Sequence, residues 1–240
     1  MKKSNSRRFI EAYNQIDYAL RVQHSFKRSM GYSDMIRRAV AVNYIVRKYE
    51  EDLIDYGRLR NAIIHRSNDE FTIAEPHDDV VLQIEKIAKI ICTPPKIMDI
   101  FNLNDVLTVQ YDVALKTVIE LISTSKYSNI PVYKDGTLIG VANGQKILNL
   151  LGKKISEKVN INEFIEKTSI EEALKALPVE VKYYEIARAG VTIEEVLDMF
   201  DKNRKLLLVL ITKTGSMQEA PLGIVTNSNI LELNNILENY

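Results

Sequence analysis

The chain reads as an α+β protein: an all-α helical bundle followed by a strand-and-helix module that occurs twice. Three observations predict this. Apolar residues recur at helical spacing through the first ninety-odd residues. Pro94-Pro95 then ends that texture. Beyond it, two strand-like runs and a helix appear after Ser125 and again after Arg204.

The helices can be taken in order. Phe9, Ala12, Tyr13, Ile16, Ala19 and Leu20 mark the first, and Met35, Ile36, Ala39, Val40, Asn43 and Val46 the second. A third runs from about Glu50 to His65, with Ser67-Asn68-Asp69 as its exit. A fourth starts near Asp78 or Asp79 as N-cap, with Val81, Ile84, Ile87, Ala88 and Ile91 along one face. These helices are assigned to a domain covering residues 1–95.

Tyr127 to Tyr133 is strand-like, Asp135-Gly136 is a hairpin turn signal, and Thr137 to Ala142 is a second strand. A helix with Ile147, Leu148 and Leu151 follows. Leu206 to Thr212 and Leu222 to Thr226 repeat the strands, and Ile230, Leu231, Leu233 and Ile236 repeat the helix. Leu115, Val118, Ile119, Leu121 and Ile122 have counterparts in Ile193, Val196, Leu197, Met199 and Phe200, where Thr192 and Glu195 spell a capping box. The helices are offset by 78 residues (Val118 to Val196), the closing glycines by 83 (Gly140 to Gly223). The longer second hairpin loop, Thr214 to Ala220, accounts for the difference. One copy alone would leave a sheet face uncovered, so the two are expected to pack together in a domain of residues 96–240. The first repeat spans about 97–152 and the second about 178–240.

Composition narrows the function classes. The 240 residues include 32 Lys+Arg against 32 Asp+Glu, three His, one Cys and no Trp, an ordinary globular balance. The longest clean apolar run, Leu206 to Ile211, is too short to cross a bilayer, so no membrane partner is expected. Lone Cys92 allows no intrachain disulfide, and the basic start lacks the apolar core of an export signal. Together these point to the cytoplasm. No metal is expected, because one Cys and three scattered His leave no zinc-site spacing. Residues 1–96 carry a net charge of +4 and residues 97–240 carry −4, too little positive charge for a long DNA footprint.

Ile130-Pro131-Val132-Tyr133, Gly136-x-Leu138-Ile139-Gly140, and the second-copy run Leu222-Gly223-Ile224-Val225-Thr226 together resemble a pair of CBS domains. The resemblance implies paired β-α-β-β-α units, homodimerisation, and adenosine-containing ligands in the clefts between repeats: AMP, ADP, ATP, S-adenosylmethionine or a cyclic dinucleotide. It places Thr226 at a ribose- and phosphate-binding position and Asn229 where the family has Asp. Asn143 and Lys146 occupy the matching places in the first repeat. Lys126, Ser128 and Asn129 match cleft-lining positions, and Arg204 and Lys205 stand at the equivalent stretch of the second repeat. Asn can hydrogen-bond a ribose without charge, and Lys146 suits a phosphate.

On a helical wheel of the third helix, Leu53, Tyr56, Leu59, Ile63 and Ile64 form an apolar stripe. Arg60 falls near its centre, where a cation is costly unless paired or wet. Arg60-Asn61-x-x-x-His65 in a helical bundle resembles a HEPN domain, which implies dimerisation and metal-independent RNA cleavage. His65 would then exchange protons, Arg60 would stabilise phosphoryl charge, and Asn61 would orient the phosphate or the imidazole. Arg60 and His65 lie about 140° apart on one helix, so a shared phosphate would require two copies. Two functional readings follow. One is an adenine-nucleotide-binding regulatory protein whose repeat pair controls a dimeric helical module. The other is a nucleotide-regulated ribonuclease using Arg60, Asn61 and His65. A structural dimer without a ligand is the third possibility.

Overall fold

Among the described residues, six helices open the chain: α1 (Asn5–Gln23), α2 (Tyr32–Ala39), α3 (Tyr44–Lys48), α4 (Glu50–His65), α5 (Asp78–Cys92) and α6 (Ile97–Ile100). The computed structural model describes residues 3–65, 74–100, 106–177 and 183–240. The predicted exit Ser67-Asn68-Asp69 lies outside them. The expected second helix is in fact two. The Asn43 side chain accepts from Val46 N–H at 2.9 Å and caps α3, so the chain turns after Ala39. At α5 the N-cap position is held by His77, not by Asp78 or Asp79. Asp78 instead accepts from Asn5 Nδ2 at 2.7 Å. Glu75 accepts from the Asn5 and Ser6 amides at 2.7 and 3.2 Å, so an acid distant in sequence satisfies the start of α1.

The described residues form two compact units. The first takes in Met1–Asp99, Thr192–Asp198 and Leu231–Tyr240. Phe9, Ile16, Leu20, Met35, Ile36, Leu53, Ile63, Ile84 and Ile87 are fully buried, as the helical periodicities require. Ile64 is the exception to the predicted stripe: it is 39% exposed. The buried face of α4 is centred on Tyr56 and Ile63, which leaves Ile64 at its margin. The later segments join this unit through specific contacts. Pro95 C=O accepts from Ile193 N–H at 2.9 Å, Arg47 pairs with Asp198, Tyr44 Oη donates to Asn234 Oδ1 at 3.2 Å, and Lys48 pairs with Glu238 at 3.0 Å.

The second unit holds Ile100–Val191 and Met199–Ile230. Its first repeat contains β1 (Val109–Gln110), α7 (Leu115–Thr124), β2 (Asn129–Lys134), β3 (Thr137–Asn143) and α8 (Gly144–Ser156). Two short helices follow, α9 (Ile161–Lys167) and α10 (Ile170–Lys175), the latter opened by a Ser169–Glu172 capping box. The second repeat runs β4 (Tyr184–Arg188), α11 (Ile193–Lys202), β5 (Leu208–Thr212), β6 (Pro221–Thr226), then a 3-10 turn (Asn227–Asn229) and α12 (Ile230–Asn239). In each repeat the first strand runs parallel to the second, and the second antiparallel to the third. Asp135 and Gly136 both take positive φ, 49° and 77°, as a tight hairpin requires. The Thr192–Glu195 capping box forms as read, at 2.8 and 3.2 Å.

The two repeats share a core. Tyr133, Leu138 and Val141 from the first cluster with Leu208 and Leu210 from the second. Leu138 N–H also donates to Met217 C=O at 2.8 Å. Each sheet face therefore covers the other, as the incomplete single copy demanded.

Candidate functional site

In the second unit, the candidate residues gather at corresponding ends of the two sheets. Asn129 pairs in register with Asn143 at the end of the first, and Leu208 with Thr226 at the end of the second. Asn143 is buried, and both ends of its amide are engaged. Its Oδ1 accepts from Lys146 N–H at 3.0 Å, capping α8, and its Nδ2 donates to Asn129 Oδ1 at 2.8 Å. Lys126 and Ser128 are exposed beside this pair.

Thr226 and Asn229 form a reciprocal cap. Asn229 Oδ1 accepts from Thr226 N–H at 2.9 Å and from Thr226 Oγ1 at 3.0 Å. That use of the oxygen leaves Asn229 its amide nitrogen, a donor, where a carboxylate would offer an acceptor. Arg204 and Lys205 are exposed at the entry to β5.

Tyr183 links the two groups, and sequence reasoning missed it. Its ring lies 4.2 Å from Lys146 Nζ, its hydroxyl donates to Val141 C=O at 2.8 Å, and its carbonyl accepts from Leu207 N–H at 2.8 Å. Leu207 C=O in turn accepts from Asn227 N–H at 3.4 Å. Burial raises the Tyr183 pKa, so it stays a neutral donor. Tyr183 thus carries the first-repeat cation Lys146 on its ring, and its backbone connects through Leu207 to the start of the second-repeat turn. No local motif announces it, because its position depends on the register between the repeats.

In the first unit, Arg60 and Asn61 lie together, with Arg60 Nη1 donating to Asn61 Oδ1 at 3.3 Å. Arg60 is half-buried, and its guanidinium carbon sits 5.7 Å from the Tyr13 ring centroid. His65 ends α4, and its side chain lies outside the described residues. Arg60 and Asn61 border a pocket of about 470 Å³ with Tyr13, Asp17, Tyr32 and Gly57. The Tyr13 and Tyr32 rings stack at 4.4 Å, and burial pushes the Tyr13 hydroxyl up to about 12.

The family model for the CBS domain matches residues 97–153, which run from α6 into α8. No curated protein matches the chain. Among solved structures, a CBS domain-containing protein of unknown function from Kribbella flavida is 15% identical. That match covers 55% of this chain and 94% of the other at a TM-score of 0.44. A CBS domain-containing protein of unknown function from Bacillus anthracis is 20% identical over 59% and 93% of the two chains, at a TM-score of 0.44. The CBS domain of a bacterial CNNM/CorC family Mg2+ transporter in complex with ATP is 17% identical over 62% and 92%, again at 0.44.

Proposed function

We propose that this protein is an adenine-nucleotide-binding regulator, with the repeat pair as sensor and the helical unit as the part it controls. The CBS domain at residues 97–153, with Lys146 of the first repeat on the ring of Tyr183 and Leu207 of the second bonded to its carbonyl, carries this reading. Lys146, Arg204 and Lys205 supply cations for phosphates, and Thr226 with the amide of Asn229 supplies hydrogen bonds for a ribose. A sensor signals only if the nucleotide binds two arrangements of the protein unequally. The chain offers a route for that coupling. Asn229 leads directly into α12, whose residues from Leu231 belong to the helical unit, while α11 divides between the units after Asp198. A homodimer is part of the same proposal.

Thermal shift of the full chain with AMP, ADP, ATP, S-adenosylmethionine and cyclic dinucleotides tests the sensor. A ligand at a hundred times its dissociation constant adds about 2.7 kcal/mol. Lys146→Ala and the Arg204→Ala, Lys205→Ala pair should each weaken such a ligand about tenfold or more. No shift with any of the five would sink the proposal.

The competing use of the helical unit is RNA cleavage by Arg60, Asn61 and His65, favoured by the Arg60–Asn61 contact. That reading requires wild-type protein to cut RNA without metal and His65→Ala to abolish the cut while nucleotide affinity stays unchanged.

A further inference from the structure

The pocket at Arg60 has a chemistry independent of the repeat pair. Its walls come from α1, the start of α2 and α4, all within the helical unit. Its carboxylates already have cations. Asp17 accepts from Arg21 through two bonds of 2.8 Å, and Asp34 pairs with Arg37 at 3.5 Å. Arg58, at the same rim, pairs with Asp55 at 2.7 Å. Arg60 has no carboxylate partner among the described residues, and its buried Nε has no hydrogen-bond acceptor. A half-buried guanidinium without a counter-charge is a costly arrangement that a bound anion relieves.

A second donor in the same wall lacks an acceptor. Tyr32 Oη is buried without a partner among the described residues, and burial raises its pKa, so it remains a donor. The first turn of α2, from Tyr32, also faces the pocket, and its N-cap Gly31 supplies no side-chain bond. The unmet need on these walls is for acceptors. The size, about 470 Å³, falls within the ordinary range for small-molecule sites.

We propose that this pocket binds a small molecule through one carboxylate, with Arg60 as its charged anchor and Tyr32 as a second donor. The charge balance selects a monoanion. Arg21, Arg58 and Arg60 face Asp17 and Asp34, leaving one positive charge on the lining. A phosphate dianion or an RNA backbone would bring further negative charge against the two aspartates. The carboxylate can belong to a free organic acid or to a peptide C-terminus.

The test uses the full chain and reads Tm with benzoate, N-acetylglycine, a tripeptide with a free C-terminus, N-acetylglycinamide, inorganic phosphate and a short single-stranded RNA. At ten times its dissociation constant, a carboxylate probe should raise Tm by about 3–6 °C. Benzoate or N-acetylglycine acting alone identifies a free acid as the ligand, and a stronger tripeptide identifies a C-terminus. Arg60→Met should abolish the shift, while Arg28→Met, which removes a charge outside the pocket, should leave it intact. Ser33→Glu places a carboxylate at the rim and should weaken the probe about tenfold, which covers the case in which Arg60→Met does not fold. The proposal fails if N-acetylglycinamide works as well as N-acetylglycine, if Arg60→Met still responds, or if no carboxylate shifts Tm. It also fails if only phosphate or RNA binds in an Arg60-dependent way. None of the five ligands that test the repeat pair is among the probes, so this outcome is separate from that of the nucleotide reading.

Discussion

At the scale of single residues, Gly57 and Glu194 have consequences that their neighbours decide. A Cβ on Gly57 would stand 2.9 Å from Tyr32 Cδ1, closer than real contacts allow. Alanine would add about 1 kcal/mol of helix propensity to α4, but overpacking a half-buried ring costs about 1–3 kcal/mol. Gly57→Ala should therefore lower the denaturation midpoint and displace Tyr32 from the pocket wall. Glu194, near the start of α11, has a buried Oε2 without a partner among the described residues. Burial, with repulsion from Glu195 and Asp198, pushes its carboxyl up to about 7 from the ordinary 4.5. Between those values the folded chain keeps a proton that the unfolded chain has lost, so this group's contribution falls as pH rises through that window. Glu194→Gln should stabilise the protein at pH 8 by up to about 3 kcal/mol and change little at pH 4, as read by urea midpoints at both pH values.

Among the elements, the helix starts show how far a local signal reaches. Ser169–Glu172 and Thr192–Glu195 close capping boxes within four residues, and sequence reading caught the second of them. The start of α1 works differently. Ser4 accepts from Arg7 N–H at a long 3.4 Å, while Glu75 takes the Asn5 and Ser6 amides. Glu75→Ala should cost about 1 kcal/mol and show as faster amide exchange confined to the first turn of α1. The split of α2 from α3 has the same character. Apolar spacing continues across Val40 to Asn43, but the Asn43 side chain satisfies the α3 backbone better outside a helix than within one.

For the whole molecule, the second repeat is divided between two units, and this has a measurable effect. Leu233 and Leu237 of α12 are buried, and Asn234, Glu238 and Tyr240 reach Tyr44, Lys48 and Lys89 of the helical unit. Burying two leucines contributes roughly 3–6 kcal/mol, comparable to a domain's entire stability. A chain ending at Asn229 should lose cooperative unfolding of the helical unit, or show its Tm lowered by 10 °C or about that much, in calorimetry. If that transition survives unchanged, α12 contributes nothing to the helical unit's stability.

Sequence alone determined what depends on neighbours a few residues apart. The helical periodicities of Phe9 to Leu20 and Val81 to Ile91, the Asp135-Gly136 turn, the duplicated strand pair and the odd placement of Arg60 were all legible, because each is written in residues within one or two turns. The strands β1 and β4 were reached only through the family resemblance, since two to five residues at a sheet edge carry too little pattern of their own. The linking helices α9 and α10 were not read at all, although Asn160 and Ser169 do mark their starts. The candidate site divided along the same line. Lys146, Thr226 and Asn229 could be placed by motif, whereas Tyr183 could not. The unmet donors Arg60 Nε and Tyr32 Oη also emerged only in three dimensions. Whether a polar group finds its partner is a property of the elements packed around it, and those come together only when the chain has folded.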